Sequence, residues 1–396
     1  MKSNQLQKNI PKEWQIKQIK DICDNFDNKR VPISKEKREK GNIPYFGATG
    51  IVDYVSGYIF DEELLLIGED GADWSKFANT AYLINGKSWV NNHAHVLKCM
   101  NVNSVFLENY LNFNDLNSYI TGGTRGKLTK GILEKIPVIL PTIAEQKKIA
   151  EILSKVDEEI NKTNELISKT EKLKNGLMNN LFTKGINHKK FKKTKLGEIP
   201  EDWEIRKLEE ICDVRDGTHN SPKYHQDGVP LITSKNLTDS GLDFNNIDLI
   251  SKSDFIEIEK RSHVDDGDIL FGMIGTIGNP VLINKNREFA IKNVALIKFI
   301  NKGVSNVFIL HSLKSNYMLV QFNKKLGGST QKFIALGKIR ELDILVPKYE
   351  EQQKISEILS SVDKKLDKQK ELKEKLTQLK KGLMSDLLSG KIRVNI

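Results

Sequence analysis

The stretch Ile10-Pro11-Lys12-Glu13-Trp14-Gln15-Ile16-Lys17-Gln18-Ile19 returns later in the chain as Ile199-Pro200-Glu201-Asp202-Trp203-Glu204-Ile205-Arg206-Lys207-Leu208. Further along, Pro141-x-x-x-Glu145-Gln146-x-x-Ile149 returns as Pro347-x-x-x-Glu351-Gln352-x-x-Ile355. Each copy is much longer than the repeat of about 20–50 residues that builds a solenoid. The sequence therefore predicts that a whole domain and its helical tail are duplicated in tandem. Two related surfaces in one chain favour a partner with two sites.

The composition favours a polyanionic partner. The 396-residue chain has a formal net charge of +10 and a pI near 9.1, although many lysine-rich proteins are basic for other reasons. No apolar run reaches the length of a membrane span, and the first residues are polar, unlike a secretory signal. Three cysteines, an odd count, give no disulfide framework. We expect a cytoplasmic protein that does not bind a membrane.

Two segments have helical periodicity. From Pro141 to Phe182, and again after Pro347, apolar residues recur every three or four positions between Lys and Glu, which predicts helices with one apolar face. Each stripe spans about forty residues, or roughly 60 Å at 1.5 Å per residue, which is longer than one body needs. We therefore favour an intramolecular antiparallel coiled coil over helices lying on their own domains and over self-association. The first stripe begins with Ile149, Leu153, Val156 and Ile160, and the second with Ile355, Leu359, Val362 and Leu366.

The predicted fold class is α+β, with two tandem-repeated mixed α/β bodies joined by two long helices that form an antiparallel coiled coil. The predicted segments are 1–140 for the first body, 141–194 for the central helix and its basic joint, 195–346 for the second body and 347–396 for the distal helix. The interiors of the two bodies align poorly, since Ile43-Pro44-Tyr45-Phe46-Gly47-Ala48 has no clear counterpart. Matched frames around unlike interiors predict one scaffold with two specificities.

The sequence carries no convincing catalytic motif. Residues 81–88, Ala-Tyr-Leu-Ile-Asn-Gly-Lys-Ser, fit a loose phosphate-loop pattern, but strand residues fill the loop and no helix follows. Asn85-Gly86 between alternating apolar residues instead predicts a β-hairpin. The Pro-Pro loop with which DNA adenine methyltransferases hold a flipped base is missing, as is a nuclease carboxylate cluster with a lysine at usable spacing. His93 and His95 stand without further ligands at metal-binding spacing, so we predict neither catalytic residues nor a metal.

Polar, glycine-bearing loops precede each long helix at equivalent places of the repeat. Glycines allow close approach of a backbone, hydroxyls and amides can bind phosphate, and Arg or Gln can read a base edge with two hydrogen bonds. An ordinary solvated hairpin is the alternative interpretation. The candidate DNA-binding residues are Gly122, Gly123, Thr124, Arg125 and Lys127 in the first loop, and Gly327, Gly328, Ser329, Thr330, Gln331 and Lys332 in the second.

Other polar segments lie beside short predicted strands. On a strand, His93 and His95 would point to the same face, which suits contacts to base edges or simply a solvated face. The second body carries two turn-rich segments that end in polar and basic side chains. The further candidate DNA-binding residues are Asn91, Asn92, His93 and His95 in the first body, and Thr218, His219, Lys223, Thr233, Lys235 and Asn236 in the second.

Taken together, these motifs resemble the specificity subunit of a type I restriction–modification system, over nearly the whole chain. The most specific part runs from Gly176-Leu177-Met178 through Thr183-Lys184-Gly185-Ile186 to Leu196-Gly197-Glu198-Ile199-Pro200. The Pro-x-x-x-Glu-Gln-x-x-Ile opening of each helix is similarly typical, and so is Asp216-Gly217-Thr218-His219. The first body, with Tyr45-Phe46-Gly47-Ala48-Thr49-Gly50, resembles a different subtype of the recognition domain. The resemblance implies that the two bodies read different sequences.

The resemblance implies a non-catalytic reader of double-stranded DNA. Its two target-recognition domains would bind the halves of a bipartite, asymmetric site, while the paired helices separate them and dock two methyltransferase subunits. Those subunits would use S-adenosylmethionine, and motor/nuclease subunits would use ATP and Mg²⁺, so this chain itself needs no cofactor. Two alternatives stay open: a stand-alone coiled-coil architectural or regulatory DNA-binding protein, and a cryptic nuclease or methyltransferase. The docking residues expected at the helix openings are Glu145, Gln146, Glu351 and Gln352, together with the stripe residues that follow them.

Overall fold

The computed structural model describes residues 11–123, 126–219, 221–275, 277–300, 303–326 and 333–396. The chain divides into two compact units. The first unit comprises Met1–Leu166 and Gln369–Ile396, and the second comprises Ile167–Lys368. Both long helices contribute residues to both units, because the divisions fall near the middle of each. None of the helices in the described part of the chain has the length and apolar content that a membrane span requires.

The first unit contains ten strands and three short helices among its described residues, besides its parts of the long helices. The strands are β1 Gln15–Gln18, β2 Cys23–Asn25, β3 Lys40–Gly47, β4 Gly50–Val55, β5 Phe60–Asp61, β6 Leu64–Gly68, β7 Ala81–Ile84, β8 Lys87–Val90, β9 Ala94–Cys99 and β10 Pro137–Leu140. The helices are α1 Ile19–Ile22, α2 Ser104–Phe113 and α3 Lys130–Leu133, followed by the long α4 Ile143–Lys184. Short 3₁₀ turns lie at Asp27–Lys29, Lys35–Lys37 and Asn117–Tyr119.

Two four-stranded sheets form the core of the first unit together with its helices. One sheet has the order β2-β9-β6-β7 and the other β4-β3-β8-β5, with β3 and β8 parallel. Strand β6 is apolar at every position because both of its faces are covered. Leu65 and Ile67 pack with α2, whereas Leu64 and Leu66 belong to the cluster that contains Phe46 of β3. Strand β1 pairs antiparallel with β10, which joins the start of the body to its end.

The second unit repeats this arrangement. Its strands are β11 Phe191–Thr194, β12 Gly197–Pro200, β13 Glu204–Lys207, β14 Asp213–Asp216, β15 Tyr224–His225, β16 Val229–Ile232, β17 Leu237–Thr238, β18 Gly241–Leu242, β19 Leu249–Ile250, β20 Ile269–Gly272, β21 Gly278–Leu282, β22 Ala290–Ile291, β23 Val294–Lys298 and β24 Asp343–Val346. Its helices are α5 Leu208–Ile211, α6 Lys252–Ser262, α7 Asn306–Leu313, α8 Asn316–Lys325 and α9 Leu336–Arg340, followed by the long α10 Tyr349–Leu388, and a 3₁₀ turn lies at Ser234–Asn236.

One four-stranded sheet of the second unit matches a sheet of the first in strand order, and the other shares its parallel strand pair. The sheet β14-β23-β20-β21 corresponds to β2-β9-β6-β7, and β13 pairs with β24 as β1 pairs with β10. Strand β16 runs parallel to β22, as β3 runs parallel to β8. The predicted fold class, with two related mixed α/β bodies, is confirmed.

The interior of the first body does have a counterpart, which corrects the expectation from sequence. Phe46 pairs with Val90 at the end of β3, and Ile232 pairs with Ile291 at the end of β16. Strand residues Ile43-Pro44-Tyr45-Phe46 therefore correspond to Val229-Pro230-Leu231-Ile232. Few side chains are shared because a buried strand requires apolar residues of suitable volume rather than particular ones.

The predicted hairpin at Asn85-Gly86 is wrong. Strand β7 pairs with β6, whereas β8 pairs with β3 and β5 in the other sheet. Asn85 and Gly86 therefore turn the chain from one sheet into the next, and Gly86 has the positive φ of +76° that this corner requires. The segments on both sides are strands, so the rejection of a phosphate loop is consistent with the structure.

The two long helices pair antiparallel within each unit, as predicted. In the first unit, Lys380 Nζ of α10 lies 2.7 Å from Asp157 Oδ1 of α4. In the second unit, Lys174 Nζ of α4 lies 2.6 Å from Asp363 Oδ1 of α10. The number of residues from Asp157 to Lys174 in α4 thus equals the number from Lys380 back to Asp363 in α10. Both ion pairs belong to one register of an antiparallel pair.

Candidate nucleic-acid interface

The ends of several strands converge on one surface of the first unit. Asn91 N donates to Phe46 O at 3.0 Å, which places residues 91–93 beside the turn that follows β3. Glu69 N donates to His93 O at 2.8 Å, and Leu128 N donates to Glu69 O at 2.8 Å. The glycine loop before α3 therefore lies next to the segments that follow β6 and β8. We call this surface the first strand-end surface; its exposed or half-buried members are Thr49, Asp70, Asn92, His93, Gly122, Gly123 and Lys127.

Several predicted DNA-binding residues lie on the first strand-end surface. Asn92, Gly122 and Gly123 are exposed, and Gly122 has a φ of +98°. His93 is half-buried, and its Nδ1 lies 2.6 Å from Asp70 Oδ1. The base of the glycine loop is closed by two backbone hydrogen bonds between Thr121 and Lys127, at 2.9 and 2.8 Å. Thr124 and Arg125 lie outside the described residues.

Two other predictions for this surface are corrected. His95 is fully buried, and its ring lies inside the unit between Asp27 and Leu128. Asn91 is only 6% exposed, and its Oδ1 accepts a hydrogen bond from His93 N at 2.8 Å. The prediction that either side chain contacts DNA directly is therefore wrong. Asn91 shapes the turn, and His95 belongs to a buried network. The sequence placed His95 on the face of His93, but the bend at residues 91–93 separates their surroundings.

This network consists of the buried Glu69 and His95, the half-buried Asp27 and Arg30, and the exposed Lys127. Asp27 accepts from His95 Nδ1 at 2.6 Å and from Val96 N at 2.9 Å. Glu69 accepts from Arg30 through one oxygen and lies 2.9 Å from Lys127 Nζ through the other. Burial raises the pKa of Asp27, but the hydrogen bond and charge of His95 outweigh it and hold that pKa below its ordinary value.

Glu69 is ionised for a similar reason. Burial raises the pKa of its carboxyl, but the hydrogen bonds from Arg30 and Lys127 lower that pKa by more. The pKa of Glu69 is therefore below its ordinary value. The hydrogen bond from Lys127 to Glu69 correspondingly raises the pKa of the lysine. Ligand atoms of Asp27, Glu69 and His95 lie within 4.8 Å of one another, as in a metal site. Arg30 and Lys127 already neutralise Glu69, and both ring nitrogens of His95 face oxygen atoms, so we assign a charge network rather than a metal centre.

The second unit has a corresponding second strand-end surface. Thr218 N donates to Ile291 O at 3.1 Å, and Asn293 N donates to Thr218 O at 3.2 Å. The ring of His219 lies between Asn293 Oδ1, at 2.9 Å, and Asp216 Oδ2, at 2.7 Å. Ser234 Oγ lies 3.5 Å from Asn293 O, which brings the turn after β16 to the same place. The members of this surface are Thr218, His219, Ser221, Thr233, Lys292 and Asn293.

The other predicted DNA-binding residues of the second body differ in their exposure. Thr218 and Thr233 are half-buried, while His219, Lys223 and Lys235 are exposed. Lys235 pairs with Asp248 at 3.1 Å. Asn236 is 3% exposed and accepts from Thr233 N at 3.0 Å, so its predicted direct DNA contact is corrected to a role within the turn. The second glycine loop, with Gly327, Gly328, Ser329, Thr330, Gln331 and Lys332, lies outside the described residues.

Sequence reasoning missed an aspartate that occupies the same place in both units. Asp216, at the end of β14, pairs with Ala295 of β23 in the strand register. Asp27 follows β2, and it faces His95 of β9. Strand order and register make Asp27 and Asp216 equivalent, and each is held by one histidine and one arginine. In the first unit these are His95 and Arg30, and in the second His219 and Arg261.

The predicted docking residues at the helix openings are turned into their own units. Glu145 is 1% exposed and accepts from Trp14 Nε1 at 3.2 Å. Gln146 accepts from Asn103 N at 2.9 Å and donates to Pro141 O at 2.9 Å. The second helix repeats these contacts with Glu351 and Gln352, which bond to Trp203, Ser305 and Pro347.

We therefore correct the role of these motifs, because they anchor each helix to its own unit rather than presenting docking groups. Ile149 and Leu153 are buried in the core of the first unit, and Ile355 and Leu359 in that of the second. Farther along the stripes, Val156 and Ile160 are half-buried, whereas Val362 and Leu366 are buried. Docking through this later part of the helices stays a prediction.

A family model described as a type I restriction modification DNA specificity domain matches the chain twice, over residues 11–172 and 200–378. The chain belongs to this family. It is 28% identical to the type I restriction enzyme MjaVIII specificity subunit of Methanocaldococcus jannaschii, over 97% of this chain and 94% of that protein. It is 30% identical to a putative type I restriction enzyme specificity subunit of Haemophilus influenzae, over 89% of this chain and 87% of the relative. The chain is thus a specificity subunit, whose role is recognition of a DNA sequence rather than catalysis.

Solved structures of this family have the same fold. The S subunit of a type I restriction–modification system from M. genitalium aligns over 99% of this chain and 98% of its own, with a TM-score of 0.63 and 17% identity. A chain from a structure on complex assembly and conformational transition of the type I system aligns over 97% and 99%, with a TM-score of 0.55 and 14% identity. The duplicated mixed α/β bodies with paired long helices are therefore the architecture of type I specificity subunits.

Proposed function

We propose that this specificity subunit reads a bipartite, asymmetric DNA sequence, one half with each strand-end surface. The observation that carries the proposal is the pair of equivalent surfaces with unlike side chains. The first surface offers Asn92, His93 and Lys127, and the second offers Thr218, His219 and Lys292. Different donors and acceptors at the same place in one scaffold suit different base edges. The net charge of +10 supports attraction to the phosphate backbone.

The specificity subunit acts, in this proposal, by directing other subunits. Two methyltransferase subunits bind it along the paired helices, use S-adenosylmethionine and methylate adenine within the recognised sequence. Motor and nuclease subunits that use ATP and Mg²⁺ join the complex for restriction. This chain itself contributes DNA contacts and docking surfaces and binds none of these cofactors.

The test is a reconstitution with and without methyltransferase subunits. The purified chain is incubated with S-adenosylmethionine and genomic DNA, and methylated adenines are mapped by sequencing. We expect no methylation by the chain alone, and methylation at a single two-part sequence when the methyltransferase subunits are added. Methylation or cleavage by the chain alone would assign catalysis to it. Methylation at unrelated sequences in the presence of the partners would contradict a role in sequence recognition.

A further inference from the structure

Two cysteines of the first unit face each other across neighbouring strands. Cys23 of β2 pairs with Cys99 of β9 in the antiparallel register, and their Sγ atoms lie 3.9 Å apart. Both side chains are free thiols. The two residues are separated by 76 positions in the sequence, so it is the strand register that brings their sulfur atoms together.

The strand geometry at this pair suits a disulfide. Met100 N donates to Ile22 O at 2.9 Å, so the neighbouring pair of residues is hydrogen-bonded. Hydrogen-bonded and non-hydrogen-bonded pairs alternate along an antiparallel ladder, which makes Cys23 and Cys99 a non-hydrogen-bonded pair, with Cα atoms about 4.5 Å apart. Disulfides join Cα atoms that are about 4.4–6.8 Å apart. The two sulfur atoms can therefore bond through rotation of their side chains, without separation of the strands.

The two thiols differ in their access to solvent. Cys99 is half-buried and lines a cleft of about 230 Å³ beside Glu63 and Ser104. A water molecule occupies about 30 Å³ in the liquid, so a molecule as small as hydrogen peroxide fits in this cleft. Cys23 is 5% exposed and belongs to the core of the unit. An oxidant therefore reaches Cys99 first, and Cys23 can react only with the oxidised Cys99.

The hydrogen bond between the thiols supports the same order. Cys23 Sγ donates to Cys99 Sγ. This bond, together with burial, raises the pKa of Cys23 above its ordinary value, so Cys23 keeps its proton while Cys99 reacts. Thiolates rather than thiols are the nucleophiles in such reactions. Cys99 is therefore the thiol that attacks the oxidant, and Cys23 is the thiol that resolves the product.

Oxidation of this pair by a peroxide is a balanced reaction of two steps. The Cys99 thiolate attacks one peroxide oxygen, the O–O bond breaks, and Cys99 becomes a sulfenic acid while hydroxide leaves and takes up the proton that Cys99 lost. The Cys23 sulfur then attacks the Cys99 sulfur, the S–O bond breaks, and the hydroxyl group leaves with the Cys23 proton as water. The two thiols have then lost two electrons and two protons, and one hydrogen peroxide has become two molecules of water.

The second unit has a cysteine but not the pair. Cys212 corresponds to Cys23 in the repeated Ile-Cys-Asp. Continued by one residue, the register of β14 with β23 places Phe299 where the first unit has Cys99. Cys212 is 5% exposed, and burial raises its pKa to about 12. Cys212 is therefore a buried structural thiol and a matched control for Cys23.

We propose that Cys23 and Cys99 are a site of reversible oxidation, at which a peroxide joins β2 to β9 through a disulfide and makes the first unit alone more resistant to unfolding. The bond closes a long loop, and such a cross-link stabilises a fold mainly by restricting the unfolded chain. Disulfides that form in a reducing compartment are usually transient. A thiol reductant should therefore restore both thiols.

The first test locates the bond in the unaltered full chain. The reduced protein is treated with hydrogen peroxide, the remaining thiols are alkylated, and its peptides are analysed by mass spectrometry without reduction. We expect one cross-linked pair of peptides, with Cys23 and Cys99, and an alkylated Cys212. The same treatment in denaturant should give mixed cross-links, because the fold no longer selects a pair. Absence of the link between Cys23 and Cys99 in the folded chain, or a link to Cys212 there, overturns the proposal.

The second test identifies the thiol that reacts first. In Cys23→Ala, peroxide should leave Cys99 as a sulfenic acid that a cyclic 1,3-diketone labels. In Cys99→Ala, Cys23 should stay unlabelled because it is buried. Cys212→Ala is the matched control and should leave the yield of the cross-link unchanged. Labelling of Cys23 but not of Cys99 overturns the assignment of Cys99 as the attacking thiol.

The third test measures the consequence for stability and needs no variant. Hydrogen exchange of β2 and β9 peptides, followed by mass spectrometry, should be at least about tenfold slower after oxidation, and a thiol reductant should restore the original rates. Peptides of β14 and β23 are the internal reference and should exchange equally in both states. Equal exchange of β2 and β9 before and after the bond forms overturns the stabilising effect.

Discussion

Trp14 Nε1 donates a hydrogen bond to the carboxylate of Glu145 at 3.2 Å, across 131 residues of sequence. The second unit contains the same contact, from Trp203 Nε1 to Glu351 at 3.0 Å. These bonds connect the two stretches whose repetition defines the duplication. In the first unit, Arg393 also donates to Glu145, so the segment after α10 closes on the same carboxylate. The repeated motifs are thus recurrent in sequence because they hold together the frame of each unit.

Replacement of Trp14 by Phe should destabilise the first unit. Phe fills most of the space of the indole but offers no N–H, so the buried carboxylate of Glu145 loses a donor at a cost of about 1–3 kcal/mol. Hydrogen exchange of peptides from each unit, measured by mass spectrometry, should show faster exchange in the first unit only. Trp203→Phe is the matched variant and should act on the second unit only. Equal exchange in both units of both variants would mean that these bonds do not stabilise their own frames.

The frame was predictable from sequence because its residues are specific. Trp14 and Glu145 make directional contacts that few other side chains can make, so they recur recognisably in the second copy. The correspondence of the apolar strands was less predictable. Tyr45 and Leu231 occupy equivalent positions but have only the burial of their side chains in common. Pairing partners were also hidden: local alternation around Gly86 could not reveal that β7 and β8 belong to different sheets.

The candidate site was predictable only in part. The turns after the strands are polar in sequence, and Asn92 and His219 do lie on the strand-end surfaces. The burial of His95 could not be predicted from the sequence. A single polar residue in a strand gives the same sequence pattern whether its face of the strand is exposed or covered by another part of the fold. Asp27 and Asp216 each lie three residues after the repeated Ile-Cys-Asp, so their equivalence is visible in the sequence, but nothing in the sequence shows that each one faces a histidine and an arginine.

Reversal of the ion pair between Asp157 and Lys380 should be tolerated only when both charges are exchanged. Asp157→Lys places two positive groups at the 2.7 Å contact, and Lys380→Asp restores opposite charges. Because the side chains are partly exposed, the coupling should be small, about 0.2–1 kcal/mol. A double-mutant cycle based on hydrogen exchange of α4 peptides measures it. Coupling that persists only at high protein concentration would indicate pairing between molecules instead of within one.

The second unit should lose stability in acid through His311. Burial lowers the pKa of His311 to about 4 from 6.5, with a smaller opposing effect from the charge of Asp363. Since the unfolded chain binds a proton at higher pH than the folded one, stability is present above pH 6.5 and is lost as the pH falls towards about 4. Exchange protection of α7 peptides, corrected for the intrinsic effect of pH, should fall in this window. His311→Gln should make the exchange protection of α7 less dependent on pH. An unchanged pH dependence in this variant would mean that another group causes the loss of stability.

The two glycine loops should read bases through Arg125 and Gln331, which lie outside the described residues and are predicted from sequence. Either side chain can form two hydrogen bonds to a purine, and loss of such a contact costs roughly 1–3 kcal/mol of discrimination. Arg125→Ala should relax only the half-site read by the first unit, and Gln331→Ala only the other. Lys332→Ala, a predicted phosphate contact, should instead weaken binding to all sequences and reduce its salt dependence. Retention of full discrimination in both Arg125→Ala and Gln331→Ala would show that the loops are solvated hairpins.

Lengthening the helix pair should change the unread spacer between the two half-sites. The antiparallel register of Asp157 with Lys380 places Thr163 of α4 near Glu374 of α10, so an insertion must be made in both helices to keep the pairing. Seven residues after each position keep the apolar stripe in phase and add about 10 Å, close to three base pairs. Mapping of methylated sites should then reveal the same two half-sites with a longer spacer.

An insertion in α4 alone provides the control for this experiment. It keeps the apolar stripe of α4 in phase but shifts part of it by one heptad against α10, so the ion pairs Asp157–Lys380 and Lys174–Asp363 cannot both form. It should therefore reduce assembly without creating a new spacer. Half-sites with altered bases and an unchanged spacer in the doubly extended chain would contradict the proposal. In that case the helices would influence base reading itself, and the distance between half-sites would be set by the bound subunits.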